Sequence, residues 1–168
     1  YICASGIFRK SDIENRLQKE LENQELFDIQ YWPIFELCSG EFIGCCGLRP
    51  HGDKQYELGF HLRPKFWGQG YAVEAARAVI QYAFDILQAE SLFAGHNPHN
   101  VNSAKVLKKL GFSYVAEEFY APTGLNHPSY ILKKPFSWRF ATEADTGLIL
   151  QFIRELADYE KMLSEVVA

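Results

Sequence analysis

The sequence predicts an α/β domain: a mixed, mostly antiparallel sheet with one central parallel pair of strands, and helices on both faces. Three observations predict it. Strand-like segments at 27–37, 42–48 and 56–62 follow one another across turn residues, as an antiparallel meander does. A long helical period at 70–87 then joins the third segment to a short strand at 91–96; strand, crossover helix and strand imply parallel pairing. Finally, 168 residues rich in aromatics and free of low-complexity runs are enough for one domain with a real core.

Each element has its own local reason. Ser11-Asp12-Ile13-Glu14 reads as a capping box, and Ile13, Leu17 and Leu21 follow at intervals of four, so a short amphipathic helix should run to about Asn23. Segment 27–37 is aromatic and β-branched, with Pro33 pointing to an edge position or a bulge. Ser39-Gly40-Glu41 and Arg49–Lys54 read as turns. The helix at 70–87 places Ala72, Ala76, Val79, Ile80, Ala83 and Leu87 on one face, small enough for close packing on a sheet. Asn97-Pro98-His99-Asn100 breaks the following strand, and Asn100 is set to cap a helix ending at Leu110, with Gly111 beyond it. Segments 112–120 and 129–133 close the list as strands.

Composition excludes some functions. The net charge is −4, which argues against a general nucleic-acid binder. No apolar run approaches the ~20 residues a membrane-spanning helix needs. Cys3, Cys38, Cys45 and Cys46 form no Cys-x-x-Cys pair, so no zinc site is expected. They read as small packing residues of a reducing compartment, and the expected location is cytoplasmic. His61, His96 and His99 have neither a nucleophile elbow nor a His-x-x-x-His spacing beside them, so no metal or catalytic triad is expected there.

The chemistry concentrates where the third strand hands over to the long helix, at Leu62-Arg63-Pro64-Lys65-Phe66-Trp67-Gly68-Gln69-Gly70-Tyr71-Ala72. Glycine admits positive φ and lets a ligand approach the backbone. The first amides of a helix lack intrahelical acceptors and sit at the positive end of its dipole. The pair therefore forms an anion cradle suited to a phosphate or pyrophosphate. There is no Gly-Lys-Ser/Thr ending, and no third glycine with a distant acid, so neither the nucleotide P-loop nor the dinucleotide fingerprint fits.

Lys65-x-x-Gly68-x-Gly70 with Tyr71-Ala72-x-Glu74-Ala75 resembles the acetyl-coenzyme A loop of the GCN5-related N-acetyltransferases (GNAT). The family usually has Gln or Arg at the position of Lys65. A second match follows in the family's order: Asn100-x-x-Ser103, then Val106-Leu107-Lys108-Lys109-Leu110-Gly111-Phe112. The resemblance covers about residues 11–133 and is nearest to the RimJ/RimL-like branch, which acetylates ribosomal-protein N-termini. It implies the GNAT fold, acetyl-coenzyme A as cosubstrate without a metal, and a primary amine as acceptor attacking the thioester directly, either a protein N-terminus or a small-molecule amine such as an aminoglycoside or polyamine; the rival is a non-catalytic module that keeps the cofactor cradle as a sensor.

The resemblance also implies roles. It lays the pantetheine along Phe60, His61 and Leu62, and the pyrophosphate on the amides of Gly68, Gln69, Gly70, Tyr71 and Ala72, with Lys65 in the loop. Asn100 and Ser103 cap their helix and, by resemblance, also contact the cofactor; Lys105 either reaches the adenosine phosphate or is a solvated charge. Trp67 should pack the loop. Glu57 is the candidate base; Glu57 and Gly59 share one face of their strand, Leu58 and Phe60 the other. Many relatives place a Tyr acid where this chain has Leu107; Tyr114 and Tyr120 are alternatives, each also a natural strand-packing residue. Deprotonating a lysine amine at pH 7 costs about 4.6 kcal/mol, an α-amine only about 1.4. That difference favours a peptide N-terminus over a lysine side chain.

The C-terminal stretch stands apart. Segment 137–141 looks strand-like, Thr142-Glu143-Ala144-Asp145 starts another helix, and Leu148, Phe152, Ile153, Leu156 and Tyr159 form an apolar stripe. Arg139-x-Ala141-Thr142-x-x-Asp145 and Arg154-Glu155-Leu156-Ala157-x-Tyr159-Glu160 resemble the opening strand and helix of another GNAT copy, of the polyamine-acetylating type, while residues 1–134 lack such an opening. Segment 135–168 therefore either begins a second domain or fills the vacant first-strand place, in its own chain or, by exchange, in a homodimer.

Overall fold

The computed structural model describes residues 9–135 and 139–159. They belong to two units, Tyr1–Lys134 and Pro135–Ala168. In the first unit, helix α1 (Lys10–Phe27) precedes β1 (Tyr31–Phe35), β2 (Phe42–Gly52) and β3 (Gln55–Leu62). Helix α2 (Tyr71–Asp85) leads to β4 (Ser91–Gly95), α3 (Val101–Lys109), β5 (Ser113–Tyr120) and β6 (Leu125–Lys133). The six strands form one sheet in the order β1-β2-β3-β4-β6-β5. As the crossover helix requires, β3 and β4 run parallel, and the other neighbouring pairs are antiparallel.

The core lies between α2, α3 and one face of this sheet. Strand alternation sends Cys46, Leu48, Leu58, Leu92 and Ala94 to that face, where they meet Ala76, Val79, Ala83 and Leu107 of the helices. The alanines let α2 lie close to the strands. Cys45 and Cys46 point to opposite faces, and burial pushes the Cys46 thiol up to about 12, so it stays protonated and inert. Cys3 lies outside the described residues.

Several boundaries differ from expectation for definable reasons. Helix α1 begins two residues earlier and ends four residues later than the capping box and its spacing suggested. Arg9 takes the cap position, Asp12 rather than Glu14 accepts its backbone N–H (2.9 Å), and a left-handed Asp28 ends the helix after Phe27. The Phe27 side of the expected first strand is therefore helical. Ile13, Leu17 and Leu21 are each more than half exposed, and the buried residue of α1 is Glu20. Strand β2 continues through the expected turn to Gly52, and the reversal falls at Asp53 and a left-handed Lys54. Strand β6 begins four residues earlier than expected, paired along β5 from Tyr120–Leu125 onward. Pro33 lies in β1, an edge strand whose register shifts at Ile34/Phe35, as its proline suggested.

In the second unit, Thr142 precedes a short 3-10 turn, Glu143–Asp145, that opens into α4 (Thr146–Tyr159). Arg139 grips Asp145 with two hydrogen bonds, 2.6 and 2.5 Å, and the Thr142 amide donates to the same carboxylate at 2.7 Å. Of the expected strand at 137–141, residues 137 and 138 lie outside the described residues and 139–141 belong to no strand.

Candidate active site

Pairing between β3 and β4 stops early. The last matched residues are Glu57 and Phe93, although β3 continues to Leu62 and β4 to Gly95. From Leu58 onward the β4 side of β3 is unpaired, while its other side stays joined to β2 as far as Leu62. The two parallel strands thus open a cleft. Phe60, His61 and Leu62 lie along one lip; Ala94, Gly95 and the residues after them form the other.

At the wide end of β3 the chain turns through Pro64–Phe66 into the loop before α2. Trp67 ties this loop down, its indole N–H donating to the Leu62 carbonyl at 2.8 Å. That bond occupies one of the strand's main-chain acceptors. Gly68 and Gly70 have φ of +77° and +93°, and a Cβ at either would meet no atom within 4 Å, so the space above them is open. Gly70 caps α2, and its carbonyl accepts from Val73 (3.0 Å) and Glu74 (3.1 Å). Among the described residues, the amides of Gly68, Gln69, Gly70, Tyr71 and Ala72 have no protein acceptor. These five N–H groups at a helix start fit a diphosphate.

The side chains around the loop are otherwise committed. Lys65 pairs with Glu41, so its charge is already compensated, and Gln69 Nε2 donates to the Lys65 carbonyl at 2.8 Å. The Tyr71 hydroxyl donates to Glu36 at 3.0 Å, and a Ser39 hydroxyl bond and that phenol hold the Glu36 carboxyl below its usual range. Asn100 caps α3, its Oδ1 accepting from the Ser103 amide at 3.2 Å. The Ser103 hydroxyl has no protein partner among the described residues.

Glu57 lies on the sheet face away from the core, directly across from Arg49 of β2 and in line with Gly59 and His61. The sequence alone did not reveal what surrounds it. A cross-strand row joins Tyr31, Gly47 and Gly59, and the Tyr31 ring extends over Gly59 so closely that a Cβ there would lie 1.8 Å from its hydroxyl. Arg49 stacks over that ring at 4.5 Å, and His61 lies beside it with centroids 5.6 Å apart. Burial chiefly, and the Glu57 charge among its neighbours, holds the Tyr31 phenol well above its ordinary range. Burial, then the Arg16 and Arg49 charges, pushes His61 down to about 4, so both rings are neutral at pH 7. The two glycines in a row across from a tyrosine are the sequence signal for this arrangement.

Glu20 holds the row in place. It is 8 % exposed and accepts from the Tyr31 amide and from Arg49, both at 2.9 Å. Glu20→Ala leaves that amide and a half-buried guanidinium without their carboxylate. The expected loss is about 2 kcal/mol of stability, seen as a lower urea midpoint with an unchanged slope. An unaltered midpoint would show that solvent replaces the carboxylate fully.

Other candidates separate. Leu107 is 1 % exposed within the core and carries no acid. Tyr114 and Tyr120 of β5 are 56 % and 49 % exposed. His99 is exposed, and its amide donates to Asn97.

Comparison with known proteins places the arrangement in a family. A family model described as an acetyltransferase (GNAT) domain matches residues 7–113. Bacillus subtilis YkkB is 31% identical over 113 residues, 66% of each chain. The FsC-acetyl coenzyme A-N(2)-transacetylase of Aspergillus fumigatus is 37% identical over 90 residues, 48% of this chain and 38% of that one. The crystal structure of an acetyltransferase from Agrobacterium tumefaciens superposes with a TM-score of 0.68 at 25% identity, covering 79% of this chain and 77% of the other. The chain belongs to the GNAT acetyltransferase family. It spans 66% and 38% of the lengths of the two curated relatives named. Among the described residues no helix is long and apolar enough to cross a membrane.

Proposed function

We propose that this protein transfers an acetyl group from acetyl-coenzyme A to a primary amine, by direct attack and with Glu57 as base. The observation that carries this reading is the cleft beyond the Glu57–Phe93 pair, which ends at five unpaired amides around Gly68 and Gly70. The amides of Gly68, Gln69, Gly70, Tyr71 and Ala72 hold the diphosphate, while Phe60, His61 and Leu62 line the pantetheine. Asn100 orders the start of α3, and Ser103 offers a free hydroxyl at the same end. Lys65, already paired with Glu41, contributes through its backbone and shape more than through its charge.

When bound, the cosubstrate supplies an activated acetyl thioester. The protein presents a neutral amine to it and receives the amine's proton at the Glu57 carboxylate, directly or through water. Tyr31 and His61, neutral at pH 7, leave Glu57 as the base on this face of the sheet. We take the acceptor to be a protein N-terminal α-amine, as in the RimJ/RimL-like branch, because a single carboxylate suffices for its small deprotonation cost. A second reading, a small-molecule amine such as an aminoglycoside or polyamine, draws support from a hollow of about 560 Å³ between α1 and Arg49–Pro50, with Asp12, Glu20 and Glu22 in its lining. Segment 135–168 is read as the start of a second GNAT copy or as an element completing the first, in its own chain or by exchange in a homodimer. Removing it should leave coenzyme A stabilisation intact in the first case and lower it in the second.

The test is thermal. Coenzyme A at 100 times its Kd should stabilise the protein by about 2.7 kcal/mol, raising Tm. Thiol release with N-terminal peptides, polyamines and aminoglycosides then ranks the acceptors. No stabilisation at millimolar coenzyme A would overturn the reading; stabilisation without turnover on any amine would favour a non-catalytic sensor.

A further inference from the structure

A positive charge without a carboxylate lies on the sheet face that carries Glu57. Arg16 of α1 is half-buried, and its guanidinium carbon is 5.8 Å from the centroid of the Tyr31 ring, with Arg49 over the same ring at 4.5 Å. The two arginines differ in their commitments. Arg49 is paired with Glu20, whereas Arg16 has no hydrogen bond or ion pair among the described residues. Burial raises the Cys45 thiol and lowers His61, and after burial the Arg16 charge is the strongest influence on each. Cys45 and His61 are matched across β2 and β3, so Arg16 serves their end of the row and Arg49 the Glu57 end. The hollow beside α1 also includes Arg16 and Lys19. Its acids are already used: Asp12 accepts from the Arg9 amide, Glu22 from the Gln18 side chain at 3.1 Å, and Glu20 from Tyr31 and Arg49. The charge left over there is positive.

We propose that Arg16 binds a carboxylate of the acceptor, so that the substrate is an amine that also carries an acidic group. This rests on the acetyl-transfer reading above and names the class of amine. Glu57, like Arg16, has no hydrogen bond or ion pair among the described residues. The row of Tyr31, Gly59 and His61 is thus flanked by two uncommitted charges of opposite sign. An acceptor with both an amine and a carboxylate satisfies the two at once, its amine at Glu57 and its carboxylate at Arg16. The Tyr31 ring steadies Arg16 without supplying an acceptor for its N–H groups. Those groups form the planar fork that matches two carboxylate oxygens. A polyamine offers no carboxylate and is repelled by Arg16 and Lys19. The carboxylate belongs either to an acidic side chain next to a peptide's N-terminal amine or to the acid end of a small amino acid; the recognising chemistry is the same.

The test compares matched acceptors by thiol release at saturating acetyl-coenzyme A. One pair is an Ala-Glu and an Ala-Gln peptide, both amidated at the C-terminus; the other is 4-aminobutyrate and its amide. Within each pair the amine is nearly constant and the charge differs. In at least one pair kcat/KM should be about tenfold higher for the acid, the size of one charge-assisted hydrogen bond, and the pair that shows it identifies the source of the carboxylate. Arg16→Gln should collapse that ratio to about one, and Arg16→Lys should restore part of it. A merely structural role would lower both members by the same factor and keep the ratio, which overturns the assignment. So does a wild-type ratio near one in both pairs, a result that needs no variant to fold. Coenzyme A binding without turnover on any amine overturns the acetyl-transfer reading first, and this assignment with it.

Discussion

Gly70→Val should weaken coenzyme A binding by at least about 100-fold while the protein remains folded. The reasoning starts at the backbone. Gly70 has φ of +93°, a conformation that costs a residue with a Cβ roughly 1–2 kcal/mol. Valine relieves that strain by moving φ, which turns the amides of Gly70, Tyr71 and Ala72 away from their common focus. No atom lies within 4 Å of the new Cβ, so the fold is not forced apart; the side chain enters the space a ligand would use. A hydrogen bond to a charged group contributes about 1.5–3 kcal/mol. Losing two of them is therefore worth two decades or more in Kd. Gly124, with φ of +68° and equally open space at the β5–β6 turn, is the control. Gly124→Val carries the same strain but should leave the affinity unchanged. Equal effects at both positions would show that the loss reports general destabilisation rather than a phosphate cradle. Calorimetric titration with coenzyme A distinguishes these outcomes.

The sequence was legible where one local rule decides an outcome. Glycines at a strand-to-helix junction require positive φ, and the structure has it at Gly68 and Gly70. The alanine face of α2 requires a close-packed sheet, and Ala76 and Ala83 are fully buried. The strand–helix–strand unit requires the parallel β3–β4 pair, and that pair is present. What was not legible depends on which residues meet across strands. Glu20 looks like a solvated helix position, yet it anchors Tyr31 and Arg49, because α1 meets the sheet through that carboxylate rather than through Ile13, Leu17 and Leu21. Tyr130 looks like any strand tyrosine until the β4–β6 register brings it beside His96. Helix ends went astray for a related reason: Ser11, read as the cap, lies inside the helix, because the Asp12 carboxylate accepts from the Arg9 amide and moves the cap back to Arg9.

Glu57→Gln should lower kcat/KM by about 10²- to 10⁴-fold, the usual contribution of a positioned base, without changing coenzyme A affinity. Glutamine keeps the shape and one acceptor oxygen but cannot take a proton. The position supports the assignment: Glu57 is the last β3 residue matched to β4, so its side chain stands where the cleft begins, across from Arg49. Its neighbours are poor substitutes. The Tyr31 phenol is held protonated, and His61, pushed down to about 4 by burial and two arginines, is no stronger a base than an ordinary carboxylate. The loss should also depend on the acceptor. A lysine-like amine, with its pKa near ~10.4, needs far more help at pH 7 than an α-amine near ~8, so the variant's deficit should shrink with an α-amine acceptor and shrink again as pH rises toward 9. A deficit that is the same for both amines and flat with pH would mean that Glu57 orders the site instead of accepting the proton. Unchanged turnover would remove it from the chemistry altogether, and the amine would then have to reach the cleft already neutral, which only an α-amine does in appreciable amount at pH 7.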